Sequence, residues 1–323
     1  MANRVVVMTS EPISDIGTVY VTPAHLARME VDARRLVVLP HRPHHSILSG
    51  RHASRLRGRG LNFEEIRAYV PGDDLRYLDW KASSRVGHPL VRSYTEERDR
   101  PALFVVDQRI SMFFGTRRAM KSVVAAETVA LGAWMAFQAG DRAGAVVFDD
   151  QHITSIRPHR SRARVQAVLG AVARSNQALR ADDPVRANPG QLDAALRAAL
   201  HLATHDYLVF VVSDFFGADQ YTLELMRELA THNDVVAALV FDPSAKAIPT
   251  SGKIVVTEGE LQVELDFGRK TIREPLSAMF DTRLQETVDL LQRCGVPLLA
   301  IDTEQPTVMQ VARLLGHFAQ RRG

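Results

Sequence analysis

The stretch ALFVVDQRISMFFG, Ala102 to Gly115, decides the reading of this chain. It opens with five apolar residues, Ala102–Val106, several of them β-branched or aromatic. A run that short and that apolar reads as a strand buried on both faces, the kind found in parallel sheets. It ends abruptly in Asp107. A carboxylate at the C-terminal edge of a central strand sits where open α/β sheets place their binding crevice. Ser111 follows, then Gly115, and a helical pattern runs from Arg117 to Gln138.

Outward from there, strands and helices alternate. Ala143–Phe148, Tyr207–Val212, Val235–Phe241 and Val296–Ile301 read as buried strands, and His152–Ile156 as a short strand suited to antiparallel pairing. Ser161–Ala178, Gln191–Ala203, Gln220–Thr231, Thr271–Cys294 and Thr307–Ala319 carry helical periodicity. The connections are long enough for right-handed parallel crossovers. The expectation is an α/β, doubly wound, mostly parallel sheet over residues 100–323. Lys253–Val256 and Leu261–Leu265, joined across Glu258-Gly259, read as an inserted β-hairpin within 253–265. Residues 1–99 read as an N-terminal extension packed on that domain. In it Thr22-Pro23 caps a helix over Ala24–Val38. Leu61–Val70 leads into the turn Pro71-Gly72-Asp73-Asp74, and Leu90–Thr95 alternates like an edge strand.

Composition narrows the function classes. Of 323 residues, 46% are hydrophobic, enough for a sizeable core, and 24% are charged, as in ordinary globular proteins. The one cysteine, Cys294, excludes a disulfide framework and a cysteine-based zinc site. No run reaches the roughly 20 apolar residues of a membrane span, and the N-terminus lacks the apolar core of a signal peptide. A cytoplasmic protein is expected. The net charge of +3 does not by itself imply nucleic acid. Residues 42–59 are locally basic, with five arginines and three histidines and no acid. Without interleaved aromatics they suit a protein contact better than single-stranded nucleic acid. No phosphate-cradling Gly-x-x-x-x-Gly-Lys-Ser/Thr, His-Glu-x-x-His or Gly-x-Ser-x-Gly occurs.

Two buried strands end in a carboxylate: Asp107, and Asp214 after Ser213. If neighbours in the sheet, these acids meet at its edge, where with hydroxyls they suit a hard cation such as magnesium. The plainer role is to cap the loops that follow. The order Asp-x-Ser-x-Ser after a first strand and an aspartate after a fourth resembles the metal-ion-dependent adhesion site of von Willebrand factor A domains. Gly58-Arg59-Gly60, Phe63-Glu64-Glu65, Arg67-Ala68-Tyr69, Pro71–Asp74, Arg76, Asp79-Trp80, Glu96-Glu97-Arg98, Asp107–Gly115, Ser213-Asp214-Phe215 and Asp242-Pro243 resemble, more narrowly, the bacterial domain-of-unknown-function family 58 (DUF58).

That resemblance implies a von Willebrand A-like, Rossmann-type fold and a partnership with MoxR-type AAA+ ATPases. The function implied is a non-enzymatic, chaperone-like adaptor in assembly or cofactor maturation of a client protein complex. Its partner-binding face would be Asp107, Arg109, Ser111, Gln191, Ser213 and Asp214. The metal motif is departed from in two places. Arg109 stands at its first serine, and Gln191 at its threonine. Arg109 either pairs with Asp107 or Asp214 and fills the ion's space, which is the favoured reading, or points outward while Asp107, Ser111 and Asp214 hold Mg2+ weakly. Gly72, Asp73, Asp74, Arg76, Asp79 and Trp80 form either a structural turn network or a docking motif. Two other functions stay open: a metal-dependent hydrolase using Asp107 and Asp214, and nucleic-acid binding through 42–59, steeply salt-dependent if real.

Overall fold

The computed structural model describes residues 16–38, 61–70, 73–96, 100–180, 187–243, 253–258, 261–266, 282 and 284–320. The basic segment 42–59 and Gly72 lie outside them. The chain divides into two compact units, one of Met1–Gly50 with Arg100–Gly323, the other of Arg51–Asp99.

The larger unit is built on six strands: β3 (Pro101–Asp107), β4 (Arg142–Phe148), β5 (Ile153–His159), β6 (Leu208–Ser213), β7 (Asp234–Phe241) and β10 (Leu298–Asp302). Their spatial order is β10-β7-β6-β3-β4-β5. All neighbours pair parallel except β4 and β5. Every residue of β3 is buried, because β3 lies centrally and helices cover both faces. Along the chain β3, β4 and β5 progress one way across the sheet, and β6, β7 and β10 the other. The winding therefore reverses between β3 and β6, where Val106 pairs with Val212. Open α/β sheets bind ligands outside the C-terminal strand ends at such a reversal. Asp107 and Ser213 end the two strands there.

One face carries α4 (Lys121–Gln138), α5 (Arg162–Ala178) and α9 (Thr307–Gln320). The other carries α6 (Gly190–Leu202), α7 (Gln220–His232) and α8, a helix over 284–293. Helix α4 is apolar nearly all round, the pattern of a helix enclosed on all sides. It lies between the sheet and the N-terminal helices α1 (Pro23–Arg28) and α2 (Glu30–Val38). Gly132 in α4 faces the Phe104 ring, which a Cβ would approach to 2.6 Å. Thr22 caps α1 through the His25 N–H, but the expected single helix 24–38 is interrupted at Met29. The indole of Trp134 donates to the Leu26 carbonyl at 3.2 Å, and the Asn176 side chain accepts from the Val21 N–H at 2.8 Å, tying residues 20–29 to α4 and α5. Helix α4 begins at Lys121 rather than Arg117. The residues before it are held out of helix by tertiary contacts: the Thr116 N–H and hydroxyl donate to Asp242, and the Met120 N–H to the Thr18 carbonyl.

β8 (Lys253–Glu258) and β9 (Leu261–Asp266) pair antiparallel, with Val256 opposite Val263. In the smaller unit β1 (Leu61–Ala68) and β2 (Leu90–Glu96) pair antiparallel with a bulge between Phe63 and Glu65. Between them lie a 3-10 turn, Leu75–Tyr77, and α3 (Trp80–Val86). Asp79 caps α3 by accepting from the Ala82 N–H at 3.0 Å. Gly87, at φ +81°, ends it in the left-handed conformation that glycine adopts without penalty. Among the described residues no helix is long and apolar enough to cross a membrane.

Candidate functional site at the sheet reversal

Asp107 and Arg109 are both fully enclosed, at 0% and 1% exposure. The Arg109 Nε–H is shared between Asp107 Oδ1 and Oδ2 at 3.1 Å each, and Nη2 donates to Oδ2 at 2.7 Å. The Arg109 backbone N–H donates to Oδ1 at 2.9 Å, and the Ser213 hydroxyl to Oδ2 at 2.6 Å. The Asp107 carboxylate thus accepts five hydrogen-bond contacts on its two oxygens. The remaining guanidinium nitrogen, Nη1, points at three carbonyls: Phe216 at 3.1 Å, Pro189 at 3.3 Å and Asn188 at 3.5 Å. Burial works against the guanidinium charge, but Asp107, with Asp214 and Asp150 beyond, holds the Arg109 pKa above its ordinary value. Its Cζ also lies 5.5 Å from the centroid of the Phe148 ring.

That carbonyl collar needs two loops to approach closely. Gly217 makes it possible: at φ +78°, a Cβ there would come within 2.3 Å of the Pro189 Cβ. Phe215 is buried in the left-handed region, φ +54°, a conformation that costs a side-chain-bearing residue of order 1 kcal/mol. Its N–H donates to Ser213 Oγ at 2.8 Å. The backbone strain coincides with the turn that aims the Phe216 carbonyl at Arg109.

Asp214 is neutralised separately. Lys121 Nζ donates to its Oδ2 at 2.6 Å, the Phe216 N–H to its Oδ1 at 3.0 Å and the Ser111 hydroxyl to Oδ1 at 3.3 Å; Arg109 Nη2 stands 3.8 Å away. Burial pushes this carboxyl up, yet Lys121 and Arg109 hold it below the ordinary carboxylate range. Lys121 occupies the first turn of α4, the end where a helix dipole disfavours a cation. Asp214 compensates it there. Asp150 completes the frame, accepting from the Ile110 N–H at 2.6 Å and the Asn188 N–H at 2.8 Å, with burial raising its pKa.

The sheet reversal therefore brings together Asp107, Arg109, Ser111, Ser213 and Asp214. Gln191 does not join them; its side chain makes no hydrogen bond among the described residues, and its neighbours contribute through the carbonyls of Asn188 and Pro189 instead. Lys121, Asp150 and Asn188 belong to the site and carry no local motif. Asp73, Asp74, Arg76, Asp79 and Trp80 lie in the smaller unit, where the three acids pair separately with Arg67, Arg76 and Arg92 and Trp80 is exposed.

A divalent cation bound in the von Willebrand manner needs open carboxylate and hydroxyl oxygens. Here the oxygens of Asp107 and Asp214 are engaged by two cations of the chain itself, Arg109 and Lys121. The residues present do not fit a metal ion, and among the described residues no group of three or more His, Cys, Asp or Glu is placed to hold one. Each oxygen of the two carboxylates already accepts at least one hydrogen bond from the chain. Around this closed centre the rim is accessible: Phe114 is 43% exposed and the Arg117 side chain 69%.

Comparison with known proteins places the chain among relatives. The model of a family described as "Protein of unknown function DUF58" matches residues 65–285. An uncharacterized protein of Mycobacterium tuberculosis is 27% identical over 278 residues, 86% of this chain and 85% of its own length. A second, from Mycobacterium avium, is 23% identical over 135 residues, 42% of this chain and 78% of its own. Among solved structures, the conserved hypothetical protein BatB from Bacteroides thetaiotaomicron is similar at 11% identity with a TM-score of 0.42, over 68% of this chain and 99% of that one.

Proposed function

We propose that this chain, which belongs to the DUF58 family of proteins of unknown function, is a non-enzymatic adaptor that recognises a partner protein through the C-terminal edge of its main sheet. The fold is of the von Willebrand A, Rossmann-like type, and the adhesion site is degenerate, so recognition needs no metal. The adaptor works with a MoxR-type AAA+ ATPase on a client protein, in assembly or cofactor maturation, in the cytoplasm.

The observation that carries this reading is the double internal neutralisation of the edge, Asp107 by Arg109 and Asp214 by Lys121. Groups so fully engaged are poor catalysts and poor ion ligands, but they fix the surrounding loops in one arrangement. A preorganised rim binds at lower entropic cost than a mobile one. The same observation counts against a hydrolase built on Asp107 and Asp214.

The test is a binding assay between the purified chain and a MoxR-type AAA+ ATPase of the same organism, in EDTA and without nucleotide. Complex formation that persists in EDTA and is lost in a Phe114→Ala, Arg117→Glu variant supports the reading. Binding that requires Mg2+ on this chain, or that ignores the rim substitutions, removes its basis.

A further inference from the structure

We propose that the exposed arc of α3 in the smaller unit is a docking surface for an acidic protein segment that carries an aromatic or aliphatic side chain. Trp80 is its apolar anchor, and Lys81 and Arg85 are its charged contacts. This is independent of the sheet-edge reading and uses none of its residues.

The charge count of the unit singles these side chains out. Each carboxylate among its described side chains is paired. Asp73 receives both terminal nitrogens of Arg67, at 2.7 and 2.8 Å. Asp74 is held by Arg76 at 2.6 Å, and Asp79 by Arg92 at 2.9 Å. Three acids are matched by three arginines, and Lys81 and Arg85 are left over, both exposed and with no acidic partner among the described residues. They lie four apart, one turn along the same helix, so their side chains are neighbours. Trp80 and Ser84 make the adjacent row. At about 100° per residue the four positions span about 140° of helix surface, and all four are exposed; on the other side Ala82 and Ser83 are half-buried, and Val86, the last residue of the helix, is exposed.

Trp80 is 73% exposed, the largest exposure among the described large apolar side chains. Indole and guanidinium are the groups most enriched among side chains that dominate protein–protein affinity. The platform beneath them is tied together by hydrogen bonds. The Asp79 carboxylate caps the helix start and takes Arg92, Ser83 Oγ accepts from the Leu90 N–H at 2.8 Å, and the Asp73 carboxylate closes the preceding turn on the Val70 N–H at 2.9 Å. A surface with an unopposed positive pair beside a bare aromatic is complementary to acid plus hydrophobe. The same side chains also explain the otherwise costly placement of a tryptophan in water.

The experiment measures fluorescence anisotropy of a short labelled peptide of glutamates interleaved with phenylalanine, titrated with the full chain. Its control is the same peptide with every glutamate replaced by glutamine. The acidic peptide should bind, the control should not, and affinity should fall as salt rises. Lys81→Glu with Arg85→Glu, and separately Trp80→Ala, should each weaken binding about tenfold or more. All three positions are exposed, and an unchanged melting temperature establishes that the fold is kept. Phe114→Ala with Arg117→Glu should leave the affinity unchanged, which separates this surface from the sheet edge. Several results would overturn the proposal: no binding, equal binding of the glutamine peptide, indifference to the α3 substitutions, loss in the Phe114 and Arg117 variant, or stronger binding to a single-stranded oligonucleotide or to phosphatidylserine vesicles than to the peptide.

Discussion

Both units hold aspartates close to arginines in sequence, yet they use them differently. In the larger unit Arg109 and Asp107 are two residues apart and enclosed, at 1% and 0% side-chain exposure. In the smaller unit Arg76 and Asp74 are also two residues apart, paired at 2.6 Å, but stand at 64% and 40%. The geometry is similar and the solvent is not. A charge pair in water is screened and contributes little. An enclosed pair is costly to assemble and costlier to break, because the survivor is left as an uncompensated buried charge. The buried pair is thus a commitment of the fold at the sheet reversal, and the exposed one leaves its surface adjustable.

The widest break in this comparison comes from removing one carboxylate from each region. Asp107→Ala strands the Arg109 guanidinium and orphans the Ser213 hydroxyl, and should cost about 3–5 kcal/mol in urea denaturation. Gly217→Ala attacks the same centre through the backbone. The new Cβ meets Pro189 and the positive φ becomes strained, so a loss of about 1–3 kcal/mol is expected.

Lys121→Met sharpens the comparison by titration. It should cost about 1–2 kcal/mol at neutral pH, as for a lost hydrogen bond between charged groups. The Asp214 carboxyl is held below its ordinary value, near 3.8. A depressed carboxyl adds stability above that value and loses it as pH falls through the lower, folded-state value. In the Lys121→Met variant burial prevails, so the acid-unfolding midpoint should move to higher pH, as read by circular dichroism. At the small end, Asp74→Ala should change stability by less than about 0.5 kcal/mol.

What could be read from sequence followed burial. The alternation of strands and helices in the larger unit was legible because β3, β4, β6 and β7 are covered on both faces and stand out as unbroken apolar runs. Helix α3 escaped notice. Its seven residues, WKASSRV, have no apolar stripe, and only the Asp79 cap and Gly87 stop mark it. The break at Met29 and the late start of α4 were hidden for another reason: contacts far along the chain, from Trp134, Asn176 and Asp242, decide them. The candidate site divides the same way. Asp107 with Arg109 two residues on is visible in one motif, but Lys121 reaches Asp214 across 93 positions and Asp150 reaches Asn188 across 38. Only the folded chain brings those together.

The account rests on two side-chain cations standing where an adhesion site would hold a metal ion. Isothermal titration of the full chain with Mg2+ and with Mn2+ tests this most directly. No binding isotherm for either ion is predicted at neutral pH. A micromolar isotherm that disappears in Ser111→Ala would contradict it.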